Sequence, residues 1–186
     1  TALMLSCQNG HEQCARALIE ANANLEAQQN QGFTALMLSA QNGHEQCLLE
    51  LLEAGAALDA QNKQGYTSLM LACFGNHEHC VLELLKAGAD LNKANHKGFV
   101  ALMHACQNGH EQCALNLLKA GAAVDATEEE GYTALMLCCH HGHEQCALAL
   151  LEAGAVVDAT QEAGATALMM AAHNGHEQCA RALLEN

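Results

Sequence analysis

With 186 residues, 51% of them hydrophobic, the chain can fold around a sizeable core and lacks the composition of a disordered segment. A net charge of −14, with seven scattered Lys and Arg, argues against nucleic acid, because neutralising phosphates needs clustered cations. No apolar run reaches the roughly 18–20 residues that a membrane helix needs, and eleven cysteines without other marks of secretion read as reduced thiols in an intracellular, reducing compartment.

The first element starts at Thr1, where "TALM" offers a hydroxyl cap followed by good helix formers. The same start returns at Thr34, Thr67, Val100, Thr133 and Thr166, always after 33 residues. Repetition at a fixed step of this size marks a solenoid, so residues 1–186 are expected to form a single array rather than several domains. Residues 34–66 show the unit. The first helix runs from Thr34 to Gly43, where a left-handed residue is wanted beyond the last turn. His44 and Glu45 open the second helix, with Glu45 at the positive end of its dipole. "CLLELLEA" carries it to Gly55, and "AALDAQNKQGY" then has turn chemistry. Fourteen of the fifteen glycines fall at three repeat positions; only Gly75 does not. Where a helix-ending glycine is missing, Asn22 or Asn76 replaces it, and Asn is the other residue that tolerates the left-handed region.

A 33-residue unit of two helices and a turn, with "G-x-T-x-L" and "G-H-x-x-x-x-x-x-L-L-x-x-G-A", resembles the ankyrin repeat over the whole chain. The resemblance implies an all-α fold, an α-solenoid of stacked helix pairs joined by short β-turn or hairpin connections. Three departures stand out. The family "TPLH" is "TALM" here, so Met4, Met37, Met70, Met103, Met136 and Met169 take the place of a hydrogen-bonding His, and apolar packing between units is expected instead. The family's turn Asp is replaced by Gln29, Asn62, Asn95, Glu128 and Gln161. Val100 lacks the cap hydroxyl, a loss of about 1 kcal/mol.

Every unit also carries a His-x-x-Cys pair, from His11 and Cys14 to His176 and Cys179. Metal binding needs three or four ligands converging at about 2.0–2.3 Å, which pairs at this spacing do not supply. On the family pattern the Cys stands where a buried aliphatic residue sits and the His makes local hydrogen bonds at the helix start, so the pairs read as structural. His140, His141 and His173 are at most an adventitious metal site. His104 interrupts the column Leu71, Leu137 and Met170, and is expected to be partly buried and hydrogen-bonded. No cofactor, phosphate loop or activated nucleophile is legible, and no enzymatic activity is expected.

The resemblance implies protein binding through turn tips and the concave face of the first helices. On the tips and beside them these are Asn30, Gln31, Phe33, Lys63, Gln64, Tyr66, His96, Lys97, Phe99, Glu129, Glu130 and Tyr132. On the first helices they are Gln8, Asn9, Gln41, Asn42, Phe74, Gln107, Asn108, His140, His141, His173 and Asn174. All five aromatic residues fall on these positions, and aromatic side chains are enriched at interface anchors. The alternative is a thiol and imidazole array that binds metal or senses redox state. Neither end is rewritten as a polar cap, so the chain reads as part of a longer array. Exposed Leu3, Met4 and Cys7 at one end, with Leu168, Met169 and Leu183 at the other, are expected to stack weakly head to tail.

Overall fold

The computed structural model describes residues 1–186 as twelve α-helices and no strand. The helices form six pairs: α1 (Ala2–Gln8) with α2 (Glu12–Glu20), α3 (Ala35–Asn42) with α4 (Glu45–Glu53), and α5 (Ser68–Phe74) with α6 (Glu78–Lys86). They continue with α7 (Ala101–Gln107) and α8 (Glu111–Lys119), α9 (Ala134–His141) and α10 (Glu144–Glu152), and α11 (Ala167–Asn174) and α12 (Glu177–Leu184). First helices pack on first helices of the next unit and second on second, giving two layers.

Local chemistry sets the helix bounds. The Thr34 hydroxyl accepts from the Met37 amide at 3.3 Å, and Thr1, Thr67, Thr133 and Thr166 cap their helices in the same way. Val100 has no such bond, and the Met103 amide turns to the Val100 carbonyl at 3.1 Å, a tighter first turn. The left-handed positions are as the sequence predicts: every glycine except Gly75 has positive φ, with Asn22 at 59° and Asn76 at 58°.

The two layers bury different amounts of surface. Ala35 to Ala40 and Ala134 to Cys139 are buried throughout, because each of these helices is flanked by neighbours on both sides and backed by the second layer. The second helices bury only a stripe, such as Cys47, Leu48 and Leu51 or Cys80, Val81 and Leu84. One continuous apolar cluster runs from Leu3 to Leu183. The methionine column is buried from Met4 to Met136, whereas Met169 is 59% exposed.

Two ladders of hydrogen bonds tie the units together. The Nε2 atoms of His44, His77, His110, His143 and His176 lie 3.0–3.1 Å from the carbonyls of Gln8, Gln41, Phe74, Gln107 and His140. This corrects the expectation of local bonding, since each His reaches back to the preceding unit. It also gives Gly43 a second reason to be glycine. Its φ is +73°, and a Cβ there would stand 2.4 Å from Nδ1 of His77. The second ladder runs along the turns, where side-chain oxygens of Glu26, Asp59, Asn92 and Asp125 accept from the amides of Ala57, Asp90, Ala123 and Val156.

Ten of the eleven thiols are buried, and Cys14 on α2 is exposed. The N-terminal end also differs from expectation. Leu3, Met4 and Cys7 are buried against α2 and α3, and the exposed apolar residue is Leu5, at 60%. At the other end Leu183 is buried, Leu168 is half-buried, and Leu184 is 72% exposed. No helix is long and apolar enough to cross a membrane.

Candidate partner-binding face

Three turn tips are closed by side chains at one repeat position, Asn62, Asn95 and Glu128. The Asn62 carboxamide oxygen accepts from the amides of Gln64 and Tyr66 at 3.0 and 2.9 Å. Asn95 does the same for Lys97 and Phe99, and a carboxylate oxygen of Glu128 for Glu130 and Tyr132. A carboxamide or longer carboxylate therefore closes the turn as an Asx-type bond would. The tips are then stitched to one another. The amides of Lys63, His96, Glu129 and Glu162 donate to the carbonyls of Gln31, Gln64, Lys97 and Glu130 at 3.0–3.1 Å. Asn30, Gln31, Lys63, Gln64, His96, Lys97, Glu129 and Glu130 all stand exposed on this ridge.

Below the ridge, Phe33, Tyr66, Phe99 and Tyr132 are half-buried, each with part of its ring against the core. They line the side of a groove whose far wall is the exposed row Gln41, Phe74 and His140, continued by half-buried Gln107. Asn42 and Asn108 are also exposed, but their Nδ2 atoms donate to Leu38 and His104 carbonyls, which ties them to their own helices. Two shallow pockets interrupt the groove. One, of about 200 Å³, lies among Phe33, Tyr66, Leu71, Phe74, Gln41 and Gln64. The other, of about 340 Å³, lies among Tyr132, His140, Met169, Met170, His173 and Asn174.

Between the pockets sits His104, whose environment overturns the expectation. It is 3% exposed, and neither ring nitrogen has a hydrogen-bond partner. Tyr66 and Phe99 flank it with ring centroids at 5.3 Å and tilts of 31° and 28°, and Phe74 meets it edge-on at 6.1 Å. Burial among these rings pushes the imidazole down to about 4, so His104 is neutral at pH 7. Sequence reasoning placed His104 in an apolar column but had no means of counting partners for its nitrogens. The signal available was that His104 and Phe74 each break their column, and the structure puts the two breaks in contact.

The three histidines grouped as an adventitious metal site divide. His140 and His173 line the larger pocket, with Asn174 Nδ2 at 3.4 Å from His140 Nδ1. His141 packs between His140 and His143, with centroids at 4.8 and 6.1 Å, and burial followed by these neighbours lowers its pKa. No cluster of three or more His, Cys, Asp or Glu side chains is arranged to hold a metal ion.

A family model described as ankyrin repeats matches in three copies, over residues 1–62, 46–128 and 102–186. Among solved structures, the crystal structure of the human ASB11 ankyrin repeat domain superposes with a TM-score of 0.90 at 26% identity. That alignment covers 100% of this chain and 83% of the other. No curated protein matches the chain in sequence.

Proposed function

Since the chain belongs to the ankyrin repeat family, whose arrays are in general protein-interaction modules without catalysis, we propose that it binds a partner protein through its turn tips and groove. The observation that carries this reading is the row of half-exposed aromatic rings. Phe33, Tyr66, Phe99 and Tyr132 keep part of each ring open beside exposed, hydrogen-bonded tips. An anchor already held by its own backbone loses little freedom on binding, which is the condition under which aromatic side chains act as hot spots. The shallow groove offers no enclosed cavity and no paired acid and base for chemistry.

The test compares proximity labelling by the wild-type array with labelling by Tyr66→Ala plus Phe99→Ala. Partners that use the groove disappear from the variant, and for a purified partner the loss of affinity is at least ~2 kcal/mol. Both rings stack on His104, so the variant also loses stability. Binding is therefore read on protein shown to be folded by circular dichroism. Unchanged affinity of that folded fraction makes the aromatic row a packing feature and removes the reading.

A further inference from the structure

The tips change sign along the array. In chain order their exposed pairs are Asn30 and Gln31, Lys63 and Gln64, His96 and Lys97, then Glu129 and Glu130. On a molecule of net charge −14, the two lysines are the cations left uncommitted on this ridge. Arg16, Lys86 and Arg181 are each paired with a carboxylate, and Lys93 donates to the Asp59 carbonyl at 2.9 Å. The ammonium groups of Lys63 and Lys97 have no such partner, although a hydrogen-bonded backbone holds both residues in place.

Lys63 adjoins Gln64 at one edge of the 200 Å³ pocket and Lys97 stands on the next tip along the ridge; the pocket lining contains no charged side chain. Leu71 forms its floor, Phe33, Tyr66 and Phe74 its walls, and the carboxamides of Gln41 and Gln64 its rim. The volume fits one aliphatic or aromatic side chain rather than a helix face. Phe74, at 54% exposure, is the aromatic that contributes most open surface. The next junction, between units three and four, shares two of these rings. Tyr66 and Phe74 also close over His104, a buried imidazole without a partner in a column that is otherwise apolar. A Leu at this place would repeat its neighbours and leave no polar atom orphaned. Tyr66 and Phe74 therefore serve two neighbours at once, the wall of the pocket and the cover of an unpartnered imidazole.

We propose that this stretch, from the tip of unit two to the tip of unit three, is the docking site for an acidic segment of the partner that carries one apolar side chain. The apolar side chain enters between Phe33, Tyr66 and Phe74 onto Leu71, while carboxylates that follow it along the ridge lie against Lys63 and Lys97. Glu129 and Glu130 repel a segment of the same charge that slides one unit further, which fixes register and direction. The inference rests on the groove being the binding face and adds the chemistry of what it binds.

The experiment pans a displayed library of random short peptides on the intact chain. Recovered sequences are expected to carry Leu, Ile, Met or Phe next to Asp and Glu, and to bind less tightly as salt rises. Lys63→Glu plus Lys97→Glu raises their Kd at least about tenfold, as does Phe74→Ala, and the exposed control Lys86→Glu leaves it within about twofold. All variants are first shown to keep the wild-type circular dichroism spectrum. Basic or uncharged peptides, or acidic ones indifferent to the charge reversal, overturn the proposal, and so does a selection that enriches nothing. Peptides that respond instead to Tyr132→Ala and Met169→Ala overturn it while leaving the groove as the binding face. Peptides indifferent to every groove substitution overturn both.

Discussion

The two long edges of the array follow different rules. Along the edge where the second helices start, each of the five junctions has the same device, an imidazole from one unit on a backbone carbonyl of the unit before. Along the groove no two junctions present the same lining. The aromatic alternates between Phe and Tyr, the tips run from neutral to basic to acidic, and Phe74 and His104 each break their column. Repetition is cheap to maintain where the only task is to hold identical units together. On the proposed reading, departure from the repeat marks the surface shaped for a partner.

The largest effect that can sharpen this contrast is acid-dependent and sits in the groove. The folded pKa of His104, about 4, lies below its ordinary value of 6.5. Between those two values the unfolded chain binds the extra proton, so the contribution of this group to stability is complete above pH 6.5 and is lost as pH falls toward 4. The loss from pH 7 to 4 is roughly 3 kcal/mol. Urea denaturation across that range should show it, and His104→Leu should flatten the slope and raise stability at pH 7 by about 1–2 kcal/mol. A variant that keeps the acid slope and gains nothing would show that His104 is not the strained residue of the groove.

The repeated edge has its own test in two glycines. Gly43→Ala forces a left-handed alanine into the ring of His77 and should cost about 2–3 kcal/mol. Gly175→Ala has a similar φ of +74° with no neighbouring atom within 4 Å, and should cost only about 1 kcal/mol of backbone strain. Equal losses would mean that the histidine contact restricts nothing. Smaller still is the cap at Val100. Val100→Thr should stabilise by about 1 kcal/mol by giving the Met103 amide a hydroxyl partner, as in the five threonine-capped units. The smallest expected effect concerns the ends, where Leu5, Met169 and Leu184 are exposed. Weak head-to-tail association at high concentration and salt should appear in sedimentation and vanish with Leu5→Glu. A strict monomer at millimolar concentration would remove that expectation.

What was legible in the sequence was whatever is local or periodic. Helix starts at the threonines, helix ends at glycine and the left-handed Asn22 and Asn76 depend on a few neighbouring residues, so the residues themselves specify them. The turn-closing role of Asn62, Asn95 and Glu128 was not foreseen, because it needs only an acceptor oxygen at the right reach, and the family Asp is one of several ways to supply it. The histidine ladder spans 36 residues and depends on the offset between stacked units, which periodicity alone does not give. The ends were misjudged for the same reason. Whether Leu3 or Leu5 faces the open side depends on how α1 sits on α2 and α3, and the sequence alone does not give that seating. His104 was unreadable in the most instructive way, since residue type shows that a polar group is present but not whether anything answers it.

The division between an edge that holds and a groove that recognises is tested most directly by measuring stability and affinity together for two variants. The probe is a peptide recovered on the intact chain. His77→Ala should lower the urea midpoint by the equivalent of about 1 kcal/mol, because it removes one bond between units. It should leave the Kd for the peptide within about twofold. Tyr66→Ala plus Phe99→Ala, read on folded protein, should raise that Kd about thirtyfold, the hot-spot scale of ~2 kcal/mol. A His77→Ala variant that loses as much affinity as the aromatic pair, or a folded aromatic pair that binds like the wild type, would contradict the account.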